Sequence, residues 1–404
     1  MAICQICSFE PLYPIIALGH QPPSDAFISP ERKHESFNVY PLDVFFCTNC
    51  KLVQLGYMVD PEILFRDYVY NTRTNAATCD NFMELAKSVT KKYKLKNEDL
   101  VVDIGSNDGT LLEFFKSQGA QVLGIDPSST AKIAIDNGIP TIIDFFNKKT
   151  AQYVVDKYKR PKIITAMNVF AHVKELDSFM RGISMLLDDQ GIFISESHYL
   201  LDMIEKLQYD AIYHEHLRYY SIKPLIYLFS KYNMEVFYVE RIPSHGGSLR
   251  VYAAKSGAYD RDGSVQELIQ TEERAGLHLQ ETYDRFAHRI VESKHRLLEL
   301  ILQIKKKGYE IVGIGAPAKG NTFLNFCQIR EDLITYLAEH SKLKIGLLAP
   351  GSLIPVLDEE KIFQEQPPYA LLLSWNLKNI IVSKLLAKGY RGKLIIPGEK
   401  PIIE

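Results

Sequence analysis

The sequence predicts an α/β fold in three lobes. Three observations carry that expectation: paired cysteines among prolines near the N-terminus, a central run in which strand and helix periodicities alternate, and a second strand–turn–helix signal near residue 311. The expected boundaries are 1–70 for a small N-terminal lobe, 71–255 for a Rossmann-like central domain, and 256–404 for a helical linker with a second Rossmann-like unit. At 404 residues, 46% hydrophobic and 24% charged, the chain has material for a sizeable core and the balance of a soluble globular protein. A net charge of −2 offers no bulk basicity to draw nucleic acid or an anionic membrane. There is no basic leader followed by an apolar run, and no stretch of about 18 apolar residues, so a cytoplasmic protein is expected, with neither a membrane nor nucleic acid as partner.

Cys4-Gln5-Ile6-Cys7 and Cys47-Thr48-Asn49-Cys50 are two C-x-x-C pairs. Each forms a tight knuckle that can aim two thiolates at one tetrahedral ion, and four sulfurs without an open position make a structural zinc site. Redox pairs or coincidence are the competing readings, though neither pair adjoins a thioredoxin-like βαβ pattern. Pro22, Pro23, Pro30 and Pro41 between the pairs suggest a loop-rich lobe with little core of its own, in which the metal would replace a core. Cys79 and Cys327 are expected to be apolar fillers. Next come Tyr68 and Tyr70, which are either a packed linker or a hinge laying a phenol over an active site, and a helical stretch from Asn75 to Tyr93.

From residue 100 the spacing predicts strands over 100–104, 121–126, 140–144, 162–168 and 191–196, alternating with helices over 109–117, 128–137, 147–156 and 174–187. That alternation predicts a doubly wound parallel sheet, whose ligand lies at the carboxyl ends of the strands. The first turn, Asp103-Ile104-Gly105-Ser106-Asn107-Asp108-Gly109, narrows the ligand. A dinucleotide fingerprint needs G-x-G-x-x-G, whereas only Gly105 and Gly109 stand here, and Asp103 and Asp108 would repel a pyrophosphate. A ligand with an amino group, a carboxylate and a ribose suits the loop, and S-adenosylmethionine has all three. Asp126 could then accept both ribose hydroxyls, Asp144 and Phe145 could meet adenine, and Asn168 and His172 would lie near the transferred group. A nicotinamide-type Rossmann fold with a variant loop is the competing reading.

Tyr213-His214-Glu215-His216 is the densest cluster of polar chemistry. If extended, His214 and His216 share one face; if helical, the four fan out. H-E-H is not a zinc motif, and a general base tuned by a phenol or carboxylate fits better. A glycine turn then enters a strand at Ser244-His245-Gly246-Gly247-Ser248-Leu249-Arg250, where Arg250 could pair an anion. Residues 263–307 read as two helices, the second long and ending in Lys305-Lys306-Lys307-Gly308. After Ile311, the turn Gly315-Ala316-Pro317-Ala318-Lys319-Gly320-Asn321 suits phosphates, and stretches 345–348, 370–374 and 393–396 supply further strands.

Taken in order, C-x-x-C…C-x-x-C, D-I-G-S-N-D-G, Y-H-E-H, H-G-G-S-L-R-V-Y, G-A-P-A-K-G-N-T and P-G-S-L-I-P-V…L-L-L-S-W-N resemble, nearly end to end, the nucleotide-sugar C-methyltransferases of deoxysugar pathways. The resemblance implies a zinc lobe, an S-adenosylmethionine domain and a C-terminal domain holding the nucleotide, with methyl transfer to carbon 3 of a 4-keto-6-deoxyhexose. It implies His216 as base, with Tyr213, Glu215, His172 and a tyrosine of the 68/70 pair, Tyr70 favoured, around the sugar. His245, Arg250, Gly315, Lys319, Gly320 and Asn321 would hold the substrate of a monomeric enzyme. Ala338-Glu339-His340-Ser341 replaces the family's Asp-x-Asn-Pro segment and Asn71-Thr72-Arg73-Thr74 its serines, which leaves open thymidine or guanosine and the sugar's configuration. The rival functions are a nicotinamide-dependent nucleotide-sugar oxidoreductase or epimerase, and a non-catalytic zinc scaffold or nucleic-acid-binding protein.

Overall fold

The computed structural model describes residues 2–65 and 71–404 and contains three sheets. The N-terminal sheet is antiparallel, ordered Tyr13–Gln21, Tyr40–Phe46, Val53–Leu55 and Arg218–Tyr219, so its last strand comes from far along the chain. The expectation of little core in this lobe is corrected. Alternate residues Leu42, Val44 and Phe46 point to one face and are buried with Leu52 and Leu55. That core is shared with the rest of the molecule: the Phe46 ring lies 4.4 Å from that of Tyr283 on a distant helix.

The central sheet has seven strands, ordered Met234–Ile242, Ser248–Lys255, Ile192–His198, Ile163–Met167, Leu100–Ile104, Gln121–Ile125 and Thr141–Ile142. Five strands are parallel, as the alternating periodicity predicts. The hairpin formed by the first two is antiparallel and was not expected in the doubly wound scheme. Every residue of Leu100–Ile104 is buried, which suits a central strand with helices on both faces. Helix Ala76–Lys92, capped by the Asn75 side chain on Thr78 N–H, packs Leu85, Ala86 and Val89 inward. Two helices, Gly263–Arg274 and Gln280–Lys306, follow as the spacing predicts. The second buries Tyr283, Phe286, Ile290, Ser293, Leu297, Ile301 and Ile304, a stripe at three- and four-residue steps.

The C-terminal sheet is ordered Val356–Asp358, Leu337–Glu339, Ile311–Ile314, Tyr369–Leu372, Lys393–Ile396 and Ile402–Ile403, parallel except for the last. In chain order this is 3-2-1-4-5-6, the doubly wound arrangement, whose ligand crevice opens between the first and fourth strands. Stretch 345–348 is not a strand; its place in the sheet is taken by Leu337–Glu339 and Val356–Asp358. These are three residues each, too short for periodicity to reveal. No described helix is long and apolar enough to cross a membrane.

Candidate functional site

The four cysteines Cys4, Cys7, Cys47 and Cys50 converge, with all sulfurs within 4.8 Å of one another. Cys4 and Cys50 sulfurs are 3.4 Å apart and those of Cys7 and Cys47 3.5 Å, close to the edge of about 3.8 Å that a Zn–S bond of about 2.3 Å gives a tetrahedron. Each knuckle is closed by a backbone bond, Ser8 N–H to Cys4 O and Lys51 N–H to Cys47 O, with Ser8 and Lys51 at positive φ. The donor set fits zinc and leaves no open coordination position.

At the carboxyl ends of the central strands the turn after Leu100–Ile104 meets the ends of its neighbours. Gly105 and Gly109 have φ of +70° and +79°, and a Cβ on Gly105 would come within 2.2 Å of Val169 Cγ2. Asp126 accepts from the Asn107 backbone N–H through Oδ2 and from Ser128 N–H through Oδ1, both at 2.8 Å. The Asn107 side chain accepts from Thr72 N–H and hydroxyl, tying the start of the covering helix to the turn. Asp103 is buried and accepts from the Thr165 hydroxyl at 2.6 Å; burial pushes its carboxyl up to about 7, against that hydrogen bond. Buried polar atoms without a partner mark the same crevice: Asn168 Oδ1, at a residue with φ of +57°, and Ser106 Oγ. Asp144 is exposed and accepts from Phe145 N–H. Asp103, Gly105, Asn107, Gly109, Asp126, Asp144, Phe145 and Asn168 thus stand on turns at adjacent strand ends. An orphaned amide oxygen and a carboxylate beside a glycine turn fit S-adenosylmethionine.

Tyr213 to His216 is neither extended nor helical. A turn closed by His216 N–H on Tyr213 O folds residues 213 and 216 onto one side, so the Tyr213 hydroxyl meets His216 Nε2 at 2.8 Å. His216 Nδ1 lies 2.8 Å from Ala211 O; because a carbonyl only accepts, Nδ1 carries the proton and Nε2 is the basic nitrogen. His214 points away and meets Tyr40 O. Around His216 stand His172 and His198, with ring centroids at 5.1 and 4.7 Å, and His245 lies 5.8 Å from His198. Burial pushes all four imidazoles down, His172 to about 4, so each is neutral near pH 7.

Glu215 is buried next in sequence but faces the N-terminal lobe, accepting from the Ser24 hydroxyl at 3.0 Å. Burial, then the nearby Asp25 carboxylate, pushes it up to about 8. From the C-terminal sheet, Lys319 reaches His198 Nε2 at 2.9 Å and His245 O at 3.3 Å. Asn321 donates to Ser24 O, and Trp375 donates to buried Asp210. Gly315 has φ of +80°, and Gly320, within helix Ala318–Cys327, lets that helix approach Leu373, whose Cβ would lie 3.0 Å from one added at Gly320. All three lobes therefore meet around the segment Tyr213–His216 and its neighbour His198.

Arg250 is not open to an external anion: it is buried against Glu196 at 2.8 Å and reaches Asn81 and Glu240. Tyr70, with Tyr68, lies outside the described residues. Sequence reasoning missed His198, Ser24 and Asp25, and met Glu339 only within the segment 338–343 where the nucleotide is expected. Glu339 had a further signal, an acid 24 residues after the Gly315 turn, close to the roughly 20 of a Rossmann unit. Nothing in sequence announced that His198 ends a strand two residues longer than its apolar run.

Three family models match consecutive parts of the chain: a zinc binding domain over residues 4–65, a methyltransferase domain over 70–239, and a C-methyltransferase C-terminal domain over 243–397. The C-methyltransferase NovU of Streptomyces niveus is 30% identical over 403 residues, covering 98% of this chain and 96% of that one. A ubiquinone biosynthesis O-methyltransferase of Rhodopseudomonas palustris (strain TIE-1) is 34% identical over 122 residues, 29% of this chain and 46% of that one. Among solved structures, magnesium protoporphyrin IX methyltransferase of Synechocystis PCC 6803 with bound SAH matches 45% of this chain and 88% of its own, at 13% identity and a TM-score of 0.36.

Proposed function

This chain belongs to the C-methyltransferase family that joins a zinc-binding domain, a methyltransferase domain and a dedicated C-terminal domain, and on that premise we propose that it methylates carbon 3 of a nucleotide-linked 4-keto-6-deoxyhexose. S-adenosylmethionine supplies the electrophilic methyl group. What the protein must add is a carbanion, and a C–H bond becomes acidic only beside a carbonyl, so a ketone at carbon 4 activates carbon 3.

The observation that carries this reading is the Tyr213–His216 pair. A neutral, buried imidazole has one nitrogen fixed as donor to Ala211 O and the other aimed at a phenol in the crevice. His216 Nε2 takes the carbon 3 proton, and Tyr213 passes from Nε2 to the substrate. His172 packs beside the base and His245 closes the sugar pocket, to which the family resemblance alone assigns Tyr70. Glu215, neutral near pH 7, orients a sugar hydroxyl. Gly315, Gly320 and Asn321 form the turn on which the nucleotide lies, while Arg250, through Glu196, stiffens the wall. Work is divided accordingly: residues 1–70 bind zinc, 71–255 the methyl donor and 256–404 the nucleotide. Family membership displaces the nicotinamide reading.

The test is incubation with S-adenosylmethionine and thymidine or guanosine diphosphate-linked 4-keto-6-deoxyhexoses, followed by mass spectrometry and NMR. One added methyl on carbon 3 is the expected product. A methyl on oxygen or nitrogen, or none with any such sugar, would refute the substrate assignment.

A further inference from the structure

We propose that Lys319 is a catalytic residue, the cation that holds the negative charge growing on the substrate's ketone oxygen as the base removes the adjacent proton; this rests on the reading above. Lys319 starts helix Ala318–Cys327 of the C-terminal sheet, where a lysine beside helix-terminal amides would ordinarily await a phosphate. Its ammonium instead leaves that turn and crosses to the central domain, 2.9 Å from His198 Nε2 and 3.3 Å from His245 O.

His198 accepts this hydrogen bond, His216 holds a proton on Ala211 O, and burial keeps both rings neutral near pH 7. Lys319 is the one lysine or arginine among the described residues that is hydrogen-bonded to a ring of this cluster. Burial, the larger effect, pushes the Lys319 ammonium down, and the buried Asp210 carboxyl, anchored by Trp375, works against that shift. A charge placed in a dry site before the reaction stabilises a developing oxyanion without reorganisation.

The step balances as follows. The carbon 3–hydrogen bond breaks and the proton goes to His216 Nε2, while the electron pair forms the carbon 3–carbon 4 double bond. The carbonyl π pair moves to oxygen, which takes the Lys319 hydrogen bond from His198. When carbon 3 attacks the methyl group, the carbonyl reforms, the S–C pair stays on sulfur, and Lys319 returns to His198. His198 is thus the acceptor that parks the ammonium between turnovers.

The test separates proton removal from methyl transfer. Thymidine diphosphate-linked 4-keto-6-deoxyglucose deuterated at carbon 3 is incubated with enzyme and S-adenosylhomocysteine, and loss of deuterium is followed by NMR. Binding of thymidine diphosphate is measured by calorimetry. For Lys319→Met the expected result is exchange and turnover slowed by about a hundredfold or more, the usual loss for one oxyanion donor, with nucleotide affinity within about threefold of wild type. Lys319→Arg, which restores the charge, should recover part of the exchange. Unchanged exchange at saturating sugar with nucleotide affinity weakened by about tenfold would make Lys319 a phosphate ligand and overturn the proposal alone. Absence of exchange in the wild type with both this sugar and its guanosine diphosphate-linked counterpart would overturn both the proposal and the substrate reading beneath it.

Discussion

Asp126 Oδ2 accepts the backbone N–H of Asn107 at 2.8 Å, and Glu339 Oε2 accepts that of Ala316 at 2.8 Å. In both sheets the carboxylate stands at the end of the second strand and the amide in the turn after the first. The other carboxylate oxygen takes the N–H two residues on, from Ser128 in one case and Ser341 in the other. A carboxylate has about four acceptor positions; the Ser128 hydroxyl takes a third on Asp126 and the His340 N–H a third on Glu339, which leaves about one on each. One device is used twice, once in each parallel sheet.

The two carboxylates should therefore separate by ligand. Asp126→Asn is expected to weaken S-adenosylhomocysteine by about tenfold or more, the loss of a charge-assisted hydrogen bond of about 1.5–3 kcal/mol, while leaving thymidine or guanosine diphosphate binding unchanged. Glu339→Gln should do the reverse. Calorimetric titration of both variants with both ligands decides it, and a uniform loss would mean that the carboxylates only brace their turns.

His216→Asn should lower kcat by roughly 10²–10⁴, the span of a general base, while S-adenosylhomocysteine still raises the Tm as in wild type. Tyr213→Phe keeps the ring but removes the hydroxyl on Nε2, and a smaller loss is expected. Steady-state kinetics on a competent sugar measures both; full turnover in His216→Asn would dismiss it as base.

Glu215 gives stability a pH dependence with a definite sign. Its folded carboxyl is pushed from the ordinary 4.5 up to about 8 by burial and Asp25, so the folded protein holds a proton that the unfolded chain releases earlier. Its contribution to stability is present below about 4.5 and is lost as pH rises through about 8. Glu215→Gln, which copies the neutral form, should gain Tm relative to wild type from pH 6 to pH 9. Scanning calorimetry at the two pH values checks this, and a constant difference would mean that Glu215 is ionised throughout.

Removing the metal should disable the site as well as the N-terminal lobe. Cys47→Ser, or a chelator, is expected to release one zinc per chain, lower the Tm and reduce kcat, because Ser24 binds both Glu215 and Asn321. Metal analysis alongside turnover is the measurement; full activity in zinc-free protein would confine the ion to local structure.

Legibility followed residue spacing. The central strands and helices were readable within a residue or two at most ends because their apolar residues recur with one period, and the long helix Gln280–Lys306 was clear for the same reason. The Cys4, Cys7, Cys47 and Cys50 cluster was readable because each knuckle is local, although the closure of 39 residues between pairs is not. Hidden were the turn that pairs Tyr213 with His216, local but without a glycine or proline to announce it, and features that depend on other strands or lobes: the carboxylates of Glu196 and Glu240 that occupy Arg250, and the crossing of Lys319 from one lobe to His198 in another. No local pattern encodes an encounter between residues 121 positions apart.

Strand Arg218–Tyr219 sits two residues past His216 and completes the N-terminal sheet by pairing with Val53–Leu55. On a ribosome the first lobe is therefore left with an open edge until residue 219 has emerged. At roughly 5–20 residues per second, the 164 residues from Leu55 to Tyr219 take on the order of ten to thirty seconds to make. During that interval the thiols can capture their ion while the sheet still awaits its last strand. The arrival of that strand, carrying His216 in with it, is the event that joins the order of synthesis to the assembly of the candidate site.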